Sequence, residues 1–137
     1  MKPQPTSVPE RGSISVFIAV LGVAFVMVAG LALDGGRKLG ALSDAHGLAV
    51  NAARAGAQSV NIDAYHQTGI ATLDPDAATR AATAYLAATG HSGDVAVTAD
   101  TVTVTVHLRV RTTLLPGPWT VSGTASATAT FGVEGTP

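Results

Sequence analysis

Residues 13–33, SISVFIAVLGVAFVMVAGLAL, form a continuous apolar stretch near the start of the chain. These 21 residues carry no charge. A helix of ~20 mostly apolar residues, rising ~1.5 Å per residue, is long enough to cross a hydrocarbon core of ~30 Å. Only a helix satisfies all of its own backbone hydrogen bonds within such a segment. The stretch therefore predicts a transmembrane helix over residues 13–33.

A cleaved secretory signal is the alternative interpretation of this stretch, because Gly30, Leu31 and Ala32 give a small-x-small cleavage pattern. The apolar run exceeds the ~7–15 residues that are usual in such a signal, which favours a retained anchor. Basic residues lie on both sides of the span: Lys2, Arg11, Arg37 and Lys38. Their balance does not fix the orientation of the span in the membrane.

The segments that flank the span have contrasting compositions. Residues 1–12 contain Pro3, Pro5 and Pro9, and since proline disrupts helix interiors, we expect a disordered leader. Residues 34–60 lack proline and are rich in alanine, which predicts a juxtamembrane helix continuing from the span. An unbroken helix over residues 13–60 would be ~70 Å long, typical of a spike rather than of a globular core helix.

Six small residues recur along this helix at intervals of three and four positions. They are Ala29, Ala32, Gly36, Gly40, Ser43 and Gly47, called the small-residue face below. Such intervals place side chains on one side of a helix, and the Gly36–Gly40 pair has the GxxxG spacing that lets membrane helices approach closely. The pattern predicts a face that packs against another helix, which includes the same helix of a second copy of the chain. Alternatively, the glycines form a hinge between the anchor and the rest of the chain.

Residues 61–137 predict a small α+β domain. Asp74 as N-cap, Pro75 at the first helical position and Gly90 after the last turn indicate a second helix. Larger apolar residues then recur with a period of two over residues 95–97, 101–111 and 120–133, most of them alternating with polar residues, which predicts three strands. We expect one helix to cover the apolar face of a three-stranded antiparallel sheet.

Bulky apolar residues flank the break at Pro116, Gly117 and Pro118. They are Leu114, Leu115 and Trp119. Apolar bulk beside a solvent-facing turn predicts a partner contact, since tryptophan is favoured at protein contacts and membrane interfaces. The alternative is that Trp119 folds back as the largest core residue of a domain made of small side chains.

The sequence contains no constellation typical of catalysis, metal binding or cofactor binding. The histidines are far apart and lack metal-ligand spacing: His46, His66, His91 and His107. With no cysteine, the chain offers no thiolate nucleophile. A charged fraction of 12% and a net charge of −1 give no electrostatic footprint for nucleic acid. We expect a protein that is not an enzyme, binds no cofactor, metal or nucleic acid, and contacts lipid and other proteins.

Several short motifs, taken in order, resemble the N-terminal region of TadE/TadG-like proteins of Flp (Tad) pilus assembly. They are Arg11-Gly12-Ser13, the apolar span, LDGGR at residues 33–37 and AARAGAQ at residues 52–58. The resemblance implies a membrane-anchored pilin-like or pilus-assembly protein in the plasma membrane, with its C-terminal domain extracytoplasmic. It also implies partners among pilin-like or Tad assembly proteins.

The same resemblance implies processing by a prepilin peptidase between Gly12 and Ser13. Type IV pilins and many pseudopilins carry a glutamate at the fifth position after the cut, and that position is Phe17 here. A membrane-tethered extracytoplasmic binding module unrelated to pili, which presents its sheet to a soluble ligand, is the alternative function.

Overall fold

The computed structural model describes residues 11–112 and 117–129, with the backbone alone for residues 11–13. Within these residues, three helices precede three strands. The helices are α1 (Arg11–Ala57), α2 (Ile62–Thr68) and α3 (Pro75–Ala88), and the strands are β1 (Gly93–Val97), β2 (Thr101–Val110) and β3 (Trp119–Thr128). The expected α+β class is confirmed, with a long apolar N-terminal helix and a three-stranded antiparallel sheet.

Helix α1 is one continuous helix of 47 residues. It begins at Arg11, so Gly12 is helical, whereas we expected it in a disordered leader; residues 1–10 lie outside the described part. The helix runs without interruption through Gly35, Gly36 and Gly40 and ends at Ala57, three residues before the expected Val60. At ~1.5 Å per residue its length is about 70 Å.

The three strands lie in sequence order in the sheet, β1-β2-β3, and both pairs are antiparallel. Val97 pairs with Val102 across the first turn, and Val110 pairs with Trp119 across the second connection. The first turn is closed by the Thr98 amide, which donates to the Thr101 carbonyl at 2.8 Å. Alternation along β2 places Val102, Val104 and Val106 on the buried face, as the period of two predicts.

Helix α3 has the N-terminus that the sequence predicts. The Asp74 carboxylate accepts hydrogen bonds from the amides of Asp76 and Ala77, both at 3.0 Å, and Pro75 occupies the first turn. The helix buries Ala78, Ala82 and Leu86 against the sheet region, and Tyr85 is half-buried beside them. Helix α2 was not predicted from the sequence; Asn61 caps it by accepting from the Ala64 amide at 2.9 Å.

The expectation that one helix covers the sheet is wrong, because the second half of α1 lies in the same core. Ala45, Ala49, Ala52 and Ala53 of α1 are fully buried. Gly123 of β3 brings the elements together, since a side chain there would overlap the backbone of Ala45 and His46. The expected boundary at residue 61 therefore does not separate a free helix from the domain.

Candidate functional site: the apolar half of α1 and the adjoining basic end of the domain

The first half of α1 carries the largest exposed apolar surface among the described residues. Its large apolar side chains from Ile14 to Leu33 are between 44% and 67% exposed. Helix α1 is also the one described helix that is long and apolar enough to cross a membrane, and 6% of its apolar window is buried. A core helix of a soluble protein would be mostly buried, so this surface needs lipid or another apolar surface to cover it.

The small-residue face lies on the side of α1 that points away from the sheet. At 100° per residue, its six members centre about 180° from the buried Ala45, Ala49 and Ala52. All six are exposed. A side chain added at Gly36, Gly40 or Gly47 would meet nothing within 4 Å. Among the described residues, the space beside Gly36 and Gly40 is open to another helix, whereas Ser43 and Gly47 line a cavity with His91 and Leu108.

Residue Asp34 marks the end of the apolar half of α1 and is buried, with 1% of its side chain exposed. Its Oδ1 lies 3.6 Å from Nη1 of Arg37, one turn further along the helix. A buried carboxylate is costly unless it is paired, so the Arg37 guanidinium offsets part of that cost. The sequence shows the i, i+3 spacing of this pair but not the burial, which depends on the packing around α1.

Residue Trp119, at the start of β3, lies beside α1 and is 43% exposed, so the interpretation of it as a buried core residue is wrong. The Lys38 Nζ lies 4.8 Å from the centre of its ring, a cation–π contact that is worth about 0.5–1 kcal/mol at exposed sites. The other residues of the expected partner contact, Leu114 and Leu115, lie outside the described residues. The expected processing site, Gly12 and Ser13, lies in the first turn of α1.

A cleft of about 240 Å³ separates α1 from the end of the sheet. Its lining residues come from the last turns of the apolar half of α1 and from the facing ends of β2 and β3: Leu31, Asp34, Gly35, Lys38, Val110, Thr112 and Trp119. Leu31 belongs to the apolar stretch. The end of the sheet that holds Val110 and Trp119 therefore reaches the level along α1 at which the uncharged stretch, residues 13–33, ends.

Basic residues collect at this end of the domain. Arg37 and Lys38 follow the apolar stretch on α1, Arg109 precedes Val110 on β2, and Arg111 follows it. All four are exposed. Asp34, paired with Arg37, is the carboxylate on α1 beside them. These four residues and Trp119 are called the basic end below.

Acidic residues lie mainly at the opposite end, where α1 finishes and the first hairpin turns. Four acidic residues lie there: Asp63 in α2, Asp74 and Asp76 at the start of α3, and Asp100 in the turn before β2. Hydrogen bonds tie these segments together: the Leu73 amide donates to Ala99 O at 2.8 Å and the Asp74 amide to Ser59 O at 2.9 Å. Arg54 and Arg80 also lie at this end, but the four carboxylates outnumber them, so the net charge is positive beside the apolar half and negative away from it.

The outer face of the sheet carries rows of hydroxyl groups that hydrogen-bond across the strands. Thr103 Oγ1 lies 2.8 Å from Ser126 Oγ, and Thr105 Oγ1 lies 3.0 Å from Thr124 Oγ1. His107 Nε2 and Asp94 Oδ2, both exposed, approach to 3.4 Å. Within residues 11–112 and 117–129, no group of three or more histidine, aspartate or glutamate side chains is placed to hold a metal ion. The hydroxyl rows form a polar, solvent-facing surface.

Comparison of the chain with models of known protein families, with curated proteins and with solved structures gives no match.

Proposed function

We propose that this chain is a membrane-anchored pilin-like or pilus-assembly protein of the Tad/Flp type, which acts through protein–protein contacts. The apolar half of α1 crosses the plasma membrane once. The domain of α2, α3 and the sheet stands on the extracytoplasmic side, built around the second half of α1.

The observation that carries the proposal is the continuity of α1. One helix presents an exposed apolar surface over its first half and supplies Ala45, Ala49 and Ala52 to the core of the domain over its second half. Because the same helix serves both parts, the anchor and the domain move as one rod, without a flexible linker. A subunit that must hold a fixed direction while it packs beside its neighbours benefits from such rigidity.

The small-residue face supports the same proposal. Two members of the face, Ala29 and Ala32, lie within the proposed span, where apolar burial gives little net drive and close backbone approach decides which helices associate. A side chain added at Gly36 or Gly40 would meet nothing within 4 Å among the described residues, and both positions lie on the side of α1 opposite the buried Ala45. A second apolar helix, from another pilin-like subunit or a second copy of this chain, fits this side of the rod.

Site-specific photo-crosslinking in native membranes tests the proposal. A photoreactive residue replacing Ser43, on the small-residue face, should capture a protein with an apolar N-terminal helix of the pilin type, or a second copy. The same replacement at the exposed Thr83 of α3 is the control and should not capture it. Intact mass of the membrane-bound chain should give Ser13 as the first residue.

Two outcomes would contradict the proposal. A mature chain beginning near Asp34 would show that residues 13–33 were a cleaved signal, and the anchor would be lost. Capture of a soluble protein by a photoreactive residue on the outer face of the sheet, with none at Ser43, would instead support a membrane-tethered binding module unrelated to pili.

A further inference from the structure

The basic end lies where the apolar half of α1 finishes. Lys38 lies seven residues beyond Leu31, which corresponds to about 10 Å along the helix. The cleft between them has Val110 and Trp119 as its opposite wall. If the apolar half spans the bilayer, the end of the sheet therefore lies at the level of the lipid headgroups.

We propose that the basic end is a second membrane contact, which binds the headgroups of anionic phospholipids beside the anchor. The inference rests on the membrane span of the proposed function and adds the class of ligand that the domain itself takes. It does not depend on which side of the membrane the domain occupies.

Charge complementarity identifies the occupant as an anionic lipid. The basic end holds four exposed cationic side chains, against one carboxylate on the adjoining part of α1 that is already paired with Arg37. Each Lys or Arg near an anionic membrane adds attraction that decays within about one Debye length, ~10 Å at 0.1 M salt. The acidic residues of α2, α3 and the first turn lie at the far end of the rod, where repulsion from the lipid surface is weakest.

Residue Trp119 adds an apolar and orienting component. Tryptophan favours the boundary between hydrocarbon and headgroups, where one part of the ring system is buried and another is wet. Trp119 is 43% exposed, and its ring lies under the Lys38 ammonium group. Lys38 can hold this contact and still direct a charge toward a phosphate, because its ammonium group has three donors.

Two consequences follow for the anchored protein. A second contact limits the tilt of the rod relative to the bilayer, since the anchor alone leaves tilt to packing and interfacial residues. The contact also links lipid composition to the direction in which the small-residue face is presented.

Residue Trp119 is the only tryptophan of the chain, so its fluorescence reports on the basic end directly. The full chain is reconstituted in vesicles that mix phosphatidylcholine and phosphatidylglycerol. In one set the phosphatidylglycerol is brominated, and in the other an equal mole fraction of the phosphatidylcholine is brominated. We expect brominated phosphatidylglycerol to quench Trp119 at least about twofold more than brominated phosphatidylcholine, because charge enriches the anionic lipid there. High salt should reduce this ratio.

The double variant Arg109→Gln and Arg111→Gln should lower the quenching ratio toward one. Arg54→Gln with Arg80→Gln is the matched control, because it removes the same charge from α1 and α3 away from the basic end and should leave the ratio unchanged. Trp119 emission in detergent, unchanged in both variants, shows that the surroundings of the ring are intact.

Three results would overturn the inference: a ratio of one in the unaltered chain, an equal loss in both double variants, or no quenching by either lipid. An alkaline wash, which removes proteins that do not span the bilayer, separates failure of the lipid contact from failure of the anchor. A chain that stays in the vesicles without quenching contradicts the lipid contact alone, whereas a chain that is washed off contradicts the anchor and the lipid contact together.

Discussion

At the scale of single residues, two glycines set how closely α1 can pack in the domain. A side chain at Gly56 would approach Ala78 O and Val102 Cγ1 to 3.0 Å each, and one at Gly123 would overlap the backbone of Ala45 and His46. Backbone atoms cannot move aside as a flexible side-chain end can. Gly123 is therefore the position at which the sheet accepts the long helix.

We expect Gly123→Ala to destabilise the domain by about 1–3 kcal/mol or more, since α1 must move away from β3 to admit the added carbon. The measurement is chemical unfolding of the full chain in detergent, followed by circular dichroism. Gly35→Ala is the matched control: a side chain there meets nothing within 4 Å, and alanine favours a helix over glycine by about 1 kcal/mol. Equal stability of the Gly123 variant and the unaltered chain would contradict the close approach.

The position of Trp119 could not be predicted from the sequence. Its cation–π contact with Lys38 joins residues at the start of β3 and in the middle of α1. The register that pairs Val110 with Trp119 and the packing of α1 against β3 must both be known before the two residues meet. Neither follows from the local pattern around Trp119.

At the scale of elements, the strands and α3 were predictable because their signals are local. The alternation of valine and threonine fixes which face of β2 is buried, and Asp74 with Pro75 fixes where α3 begins. The core face of α1 was not predictable, because alanine serves equally as a helix former, a core residue and a packing surface. Ala45, Ala49 and Ala52 recur at the same intervals of three and four positions as the small-residue face on the opposite side, and their side chains are similarly small.

The small-residue face gives a prediction for α1 as an element. Gly36→Leu with Gly40→Leu should leave the fold intact or stabilise α1 by up to about 1 kcal/mol per glycine, because a Cβ at either position meets nothing within 4 Å in the described part of the chain. The same change should abolish crosslinking from Ser43, since leucine prevents close approach of another helix. Crosslinking yield and thermal unfolding are measured on the same preparations.

Gly35→Leu is the matched control for this prediction. It adds one leucine at the residue before Gly36, which is about 100° around the helix and outside the small-residue face. Crosslinking should survive in this variant. If the double variant crosslinks as well as the unaltered chain, the face is an accident of composition. The glycines would then be read as a hinge only if a bend of α1 were measured there, because α1 is continuous through both in this structure.

At the scale of the whole molecule, the exposed apolar half, the basic end and the acidic far end follow one another along a single axis. This order gives the chain a direction relative to a membrane surface. Charge counts beside the span do not decide which compartment holds the domain, because Lys2 and Arg11 precede it while Arg37 and Lys38 follow it. The compartment of the domain is therefore tested by accessibility and not by charge counts.

A cysteine-accessibility experiment decides the orientation, and the chain suits it because it has no cysteine of its own. We expect Ala96→Cys, exposed on β1, to react with a membrane-impermeant maleimide in intact cells whose outer layers admit the reagent. Ala53→Cys is the matched control: Ala53 is fully buried, so it should react only after denaturation. Labelling of Ala96→Cys only after lysis would place the domain in the cytoplasm. That result would contradict the pilus role but leave the anchor and the lipid contact standing, because both depend on the level of the basic end along α1 and not on the side of the membrane.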